Sequence, residues 1–112
     1  MKITSEVHNH TVTLKLEGNF TYTQRKPFQE MLKSVSVDPM KHIVIDLSQV
    51  AFLDSAALGL LMISHRQLQA DKRTMSLAYP QQTVRQIIEL ANLHTTIPII
   101  EPGVSTMAKK SA

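Results

Sequence analysis

Two neighbouring stretches, Ile43-Val44-Ile45-Asp46-Leu47 and Phe52-Leu53-Asp54-Ser55-Ala56-Ala57-Leu58-Gly59, constrain this chain more than any others. The first is short and rich in β-branched residues, as expected of a central strand covered on both faces. The second is an apolar stretch that runs directly into a helix start and leaves an acid and a hydroxyl at the junction. A strand that passes straight into a helix is half of a parallel βαβ unit, so an α/β domain is expected around it. Asp and Ser are favoured helix N-caps, which gives Asp54 and Ser55 a purely structural reading. They also have a chemical reading. The first helical turn carries unpaired N–H groups and the positive end of the helix dipole, where a phosphate on Ser55 would be favourably placed.

The flanking pattern agrees with such a domain. Val12, Leu14 and Leu16 alternate with Thr13, Lys15 and Glu17, so Ile3 to Leu16 is predicted to be two strands broken at His8-Asn9-His10, a hairpin that Gly18-Asn19 ends. Phe28, Met31, Leu32 and Val35 then have the spacing of a helix with one buried stripe, capped by Thr21 or Thr23. Pro27 fits only near its first turn, and Asp38-Pro39 marks its exit. After the junction, Leu58, Leu61, Met62 and His65 form a stripe while Leu60 and Ile63 point elsewhere. With its first two turns apolar nearly all round, this helix must be covered by neighbours or offer a docking surface. Asp71-Lys72-Arg73 closes it.

Met75 to Tyr79 reads as a further strand, and Val84, Ile87, Ile88 and Ala91 as a third helical stripe with Arg85, Gln86, Glu89 and Asn92 facing water. Ile97 to Ile100 is expected to be a last short strand, held to an edge position by Pro98. The fold class is therefore α/β: a mixed, mostly parallel sheet opened by an antiparallel hairpin, with helices mainly on one side. Residues 1–101 are expected to form this one domain and 102–112 a flexible or weakly helical tail.

Composition narrows the function classes. The 112 residues, 43% of them hydrophobic, suffice for one core. Absence of cysteine removes disulfides and thiolate metal sites and is compatible with a reducing cytoplasm. With no membrane-length apolar run and no signal-peptide core after Met1-Lys2-Ile3, the expectation is a soluble cytoplasmic protein without a membrane partner. The net charge of +3 comes from scattered basic residues without an aromatic stacking motif, so no nucleic-acid partner is expected. His8-x-His10 could place two rings on one side of a strand, but a third ligand is missing nearby and no metal or cofactor is expected. Ser55 lacks the glycine-flanked elbow of a hydrolase, and three glycines in all leave no phosphate-binding loop.

The run from His42 to Leu61, HIVIDLSQVAFLDSAALGLL, resembles the signature of STAS domains, the family of bacterial anti-sigma factor antagonists, and the resemblance extends from about Val12 to Ile100. Ala56 and Ala57 stand where many members have Ser or Ala followed by Gly. The resemblance implies a STAS-like fold, phosphorylation at Ser55 and a partner-binding surface at Asp54, Ser55, Ala56, Ala57 and Gly59, with Asp54 orienting Ser55 or helping to present it to the kinase, and no catalytic residue. The implied partners are an anti-sigma factor or serine kinase of the GHKL type, and a PP2C-type phosphatase that removes the phosphate. Gly18-Asn19-Phe20-Thr21 stands where many relatives carry Gly-x-x-Asp, so the acid associated with nucleotide binding is lost. The alternative is a STAS accessory subunit of another assembly, such as a lipid-transport complex, in which Ser55 is a cap or contact and never phosphorylated.

Overall fold

The computed structural model describes residues 1–101; the expected tail, 102–112, lies outside the described residues. Five strands, β1 (Lys2–His8), β2 (Thr11–Phe20), β3 (His42–Leu53), β4 (Thr74–Ala78) and β5 (Ile99–Ile100), form one sheet in the order β1-β2-β3-β4-β5. β1 and β2 pair antiparallel through the two-residue turn Asn9-His10, and all other neighbours are parallel. Three helices, α1 (Arg25–Val35), α2 (Ser55–Ala70) and α3 (Gln82–Leu90), make the crossovers.

One face of the sheet carries the core. Val12, Leu14 and Leu16 of β2, Ile43, Ile45 and Leu47 of β3, and Met75 and Leu77 of β4 form a single buried cluster with Phe28 and Leu32 of α1, Leu60, Leu61 and Leu68 of α2, and Val84 and Ile88 of α3. Each such side chain contributes about 1.5–3 kcal/mol by burial. The opposite face presents Thr13, Lys15, Val44, Asp46 and Ser76, none of them fully buried. β3 is thus covered on one face only, correcting the expectation of two; its β-branched run is that of a half-open strand whose outward residue Val44 is partly sheltered by its neighbours.

β2 and β3 are longer than their hydrophobic patterns indicate. β3 continues for six residues beyond Leu47, and β2 runs through Gly18-Asn19 to Phe20. The reason lies in two register shifts: Lys15 pairs with Asp46 but Glu17 with Gln49, and Gly18 with Val50 but Asn19 with Phe52. Each gives β3 one extra residue, which turns its side chains by one position, so the buried residues fall at Ile43, Ile45, Leu47, then Val50, then Leu53. The Asp46 Oδ1 accepts from the Ser48 N–H at 2.9 Å and holds the first bulge. Gly18, at φ +107°, takes up the second irregularity within the strand instead of ending it. A strict period of two cannot be read across such insertions.

The helices differ from expectation in detail. α1 is entered through a 3-10 turn, Tyr22–Gln24, and neither Thr21 nor Thr23 caps it; their hydroxyls lie 3.1 Å from each other. Pro27 falls in the first turn of α1, where its missing N–H has no helical acceptor to lose. In α2 the buried stripe is Ala57, Leu60, Leu61, Ser64, His65 and Leu68, with Leu58 and Met62 at its border and Ile63 outside. Leu60 therefore belongs to the core, because α2 is flanked on the side toward α1 as well as by the sheet. Ala91 caps the end of α3 and is exposed, and Ile99–Ile100 is the whole of the last edge strand.

The end of α2 is a Schellman motif: Arg73 N–H donates to the Leu68 carbonyl and Lys72 N–H to that of Gln69, with Lys72 left-handed at φ 62°. Arg73 is 8% exposed, and its guanidinium donates to the Met40 carbonyl at 2.8 Å, Asp38 at 2.9 Å and Asp71 at 3.3 Å. It joins the loop before β3 to the loop before β4. Both carboxylates are well exposed, so the bond to Met40 and the packed stem carry most of the effect. Arg73→Ala is expected to lower stability by about 2 kcal/mol in urea unfolding, and Arg73→Lys to recover only a minor part of it.

Candidate functional site

The parallel pairing of β2 and β3 brings the C-terminal ends of both strands to one end of the sheet, and the Asp54–Ser55 junction lies there. Asp54 is the extended residue between β3 and α2, at φ −94° and ψ 178°. Its carboxylate is shared between two chain segments: Oδ1 accepts from the Ala57 N–H and Oδ2 from the Tyr22 N–H, both at 2.9 Å. Its backbone N–H donates to the Phe20 carbonyl at 3.3 Å and its carbonyl accepts from the Leu58 N–H at 3.1 Å. One carboxylate thus caps α2 and also the 3-10 turn that leads into α1. The Phe20 and Phe28 rings, 4.9 Å apart between centroids, pack the same corner from below.

Capping falls to Asp54 alone. Ser55, the first residue of α2, is exposed, and its hydroxyl makes no hydrogen bond to another described residue, Asp54 included. Asp54 fixes the start of the helix on which Ser55 stands, and the two side chains do not hydrogen-bond to each other. Ala56 is partly buried and Gly59 exposed, and a Cβ added at Gly59 would meet nothing within 4 Å. Ala57 is 1% exposed: it contributes its N–H to the cap and its methyl to the core, so it lies beneath the surface formed by the other four candidates.

Sequence reasoning missed Phe52 and Tyr22 as surface residues, and placed Ile63 off the buried stripe without assigning it to the site. Phe52, just before the junction, is 44% exposed and Ile63, two turns along the outer side of α2, 52%. Tyr22 is held beside Asp54 by its backbone bond, and the Arg25 guanidinium lies 4.7 Å from the Tyr22 ring centroid with Nη2 donating to its hydroxyl at 3.2 Å. The signal available for Ile63 was its position off the buried stripe; none existed for Tyr22, whose placement depends on a contact 32 residues distant.

The Ser55 hydroxyl is accessible and has no hydrogen-bond partner among the described residues. A serine nucleophile needs a base within hydrogen-bonding reach, and Ser55 has none among the described residues. As a phosphate acceptor it needs only access, since a kinase supplies its own base. Among the described residues no three His, Cys, Asp or Glu side chains converge on a metal position, and the turn at Asn9-His10 takes His10 off the strand that carries His8. No helix among the described residues is long and apolar enough to cross a membrane.

A mixed five-stranded sheet with an acid-capped helix bearing a free hydroxyl at its first position defines the class of domain. The STAS domain family model matches residues 2–106, and the chain belongs to the STAS domain family. It is 27% identical over 88 residues to a STAS-domain containing protein of Pseudomonas aeruginosa, covering 79% of this chain and 86% of that one. It is 20% identical over 110 residues to the anti-sigma F factor antagonist of Paenibacillus polymyxa, covering 97% and 94%. Among solved structures, the unphosphorylated anti-sigma factor antagonist SpoIIAA superposes with a TM-score of 0.76 at 18% identity, over 99% of this chain and 98% of that one.

The double cap makes a measurable distinction between the two junction residues. Asp54→Ala is expected to cost about 1–3 kcal/mol, since it leaves the Ala57 and Tyr22 amides without their acceptor. Ser55→Ala should change stability by less than about 0.5 kcal/mol. Thermal unfolding of the two variants side by side checks this; equal losses would return a capping role to Ser55.

Proposed function

We propose that this protein is an anti-sigma factor antagonist of a bacterial partner-switching circuit. In this reading the unphosphorylated chain binds an anti-sigma factor through the surface around Ser55, and a GHKL-type serine kinase switches it off by phosphorylating that residue. A PP2C-type phosphatase restores binding, and the circuit operates in the cytoplasm. The observation that carries this reading is the division of labour at the junction: Asp54 does the capping, so the Ser55 hydroxyl is exposed and free. The likeness to the antagonists supports the general role.

The switch follows from local electrostatics. A phosphate adds about 1.5–2 negative charges at the first position of α2, next to the carboxylate of Asp54. The helix itself tolerates the group, because its amino-terminal end favours an anion. A partner packed against Ala56, Gly59, Phe52 and Ile63 would have to desolvate the phosphate, and a bare hydroxyl imposes no such cost. Fold stability and partner affinity are then decoupled at one atom. Ala57 serves from beneath, by keeping the first turn of α2 close to the sheet.

The experiment is intact-mass analysis and fragment mapping of the protein isolated from its native cell, with the partners identified by pull-down. One phosphate on Ser55, with an anti-sigma factor or GHKL-type kinase as partner, is the expected result. Reproducible phosphate elsewhere, or co-purification with an ATPase and permease instead, would refute the reading. Paired variants give the mechanism: Ser55→Ala should bind the anti-sigma factor constitutively and Ser55→Asp weakly, with both folding normally.

Gly59 supplies a separate test of the surface. Gly59→Ala should raise stability by about 0.5–1 kcal/mol, because a mid-helix glycine is replaced where its Cβ meets nothing. Gly59→Leu should fold as well and bind the partner at least about tenfold more weakly, a loss of roughly 1.4 kcal/mol by steric exclusion. Undiminished affinity of Gly59→Leu would take Gly59 out of the contact.

A further inference from the structure

β1 is a seven-residue strand at the end of the sheet, paired along one side only. Its inner side matches β2 residue for residue from Lys2↔Glu17 to His8↔Thr11. Among the described residues nothing pairs with its outer side, and of the usual protections it carries only charged side chains, Lys2 and Glu6, with no proline, no bulge and no covering helix. All of β1 except Ile3 is exposed, and Val7 is 63% exposed, an apolar residue at an open edge. The other edge of the sheet, β5, is only two residues long and preceded by Pro98.

The ladder fixes which groups this edge offers. The His10 carbonyl accepts from the Lys41 and His42 amides, so even-numbered β2 residues turn their backbone polar groups toward β3 and odd-numbered ones toward β1. The β1 residues opposite those odd positions are Lys2, Thr4, Glu6 and His8. Ile3, Ser5 and Val7 therefore direct their N–H and C=O groups outward. Three outward donors and three outward acceptors are spaced evenly about Ser5.

We propose that this edge pairs with the same edge of a second copy, antiparallel about a two-fold axis through Ser5, so that the two five-stranded sheets join into one of ten. The edge is complementary to itself in this register. Ile3 lies opposite Val7 of the second copy, twice, on the face of the sheet that carries each core, and the exposed Val7 gains an apolar neighbour. Lys2 falls diagonally beside Glu6 of the second copy on the opposite face, again twice, so opposite charges meet. One strand on each side buries less area than a standard interface of about 1,600 Å² requires, so the association is concentration-dependent, with dissociation constants in the micromolar range or weaker. The Ser55 surface stays free in the pair, since it belongs to α2 and the ends of β2 and β3.

The chain has no cysteine, which permits a direct test. A cysteine at the two-fold position faces its own copy with Cα atoms about 5.5 Å apart, within the range a disulfide spans. Ser5→Cys is expected to form a covalent dimer in a glutathione redox buffer at least about tenfold faster than Gln69→Cys, an exposed position on α2 far from this edge. Sedimentation of the unmodified protein should show a monomer–dimer equilibrium that Val7→Lys abolishes while thermal unfolding is unchanged. A monomer at every concentration, a dimer that survives Val7→Lys, or equal cross-linking of the two cysteine variants would each overturn the proposal.

Discussion

The carboxylate of Asp54 is the contact on which this end of the molecule depends. Parallel strands deliver their C-terminal ends to the same edge, which is where α/β proteins place their sites, and here two chain segments leave the sheet side by side. Each starts a helical turn with amides that have no acceptor of their own. A single side chain satisfies one amide from each, and so sets the position of α1's approach and of α2's first turn together. With capping concentrated in one residue, the next residue in the chain is left without a structural duty. Availability of the Ser55 hydroxyl is a consequence of that economy.

The two bulges in β3 determine where this junction projects. β4 pairs only as far as Asp46↔Ala78, so the second half of β3 is supported by β2 on one side and by the Gln81 amide at the Ser48 carbonyl on the other. The insertions return Val50 and Leu53 to the core face after each change of phase, which keeps the ribbon of β2 and β3 anchored while Ala51 and Phe52 are turned outward. Without the second insertion Leu53 would face away from the core. The strand end that carries Asp54 would then lose its apolar anchor.

The sequence pattern made the architecture legible wherever one period held over several residues. The alternation in Val12, Leu14 and Leu16 and the stripes through Phe28–Leu32 and Val84–Ile88 lie in the elements and on the faces expected, and the run at Ile43 to Leu47 lies in the central strand expected, though covered on one face only. Legibility failed where a tertiary contact overrode local preference. Thr21 and Thr23 are good caps by residue type, yet the amide at Tyr22 is satisfied from Asp54. Gly18 reads as a strand terminator, yet its positive φ is used inside the strand. A helical wheel with a single neighbour puts Leu60 off the buried stripe, whereas α2 has both the sheet and α1 beside it. At the site, the junction and its hydroxyl were readable from residue types alone, while the sharing of caps and the burial of Ala57 needed three dimensions.

The order of strands across the sheet is the same as their order along the chain. Each strand after the first is laid down beside the one that precedes it, and no later segment has to be threaded between two that are already paired. A chain emerging from the ribosome can close the β1–β2 hairpin first and add β3, β4 and β5 in turn, always extending an existing edge. The growing edge is shielded as soon as the next βα unit arrives, and assembly ends at the short, proline-flanked β5. Growth by successive addition thus proceeds in one direction, away from β1, and leaves the first edge laid down as the long open one.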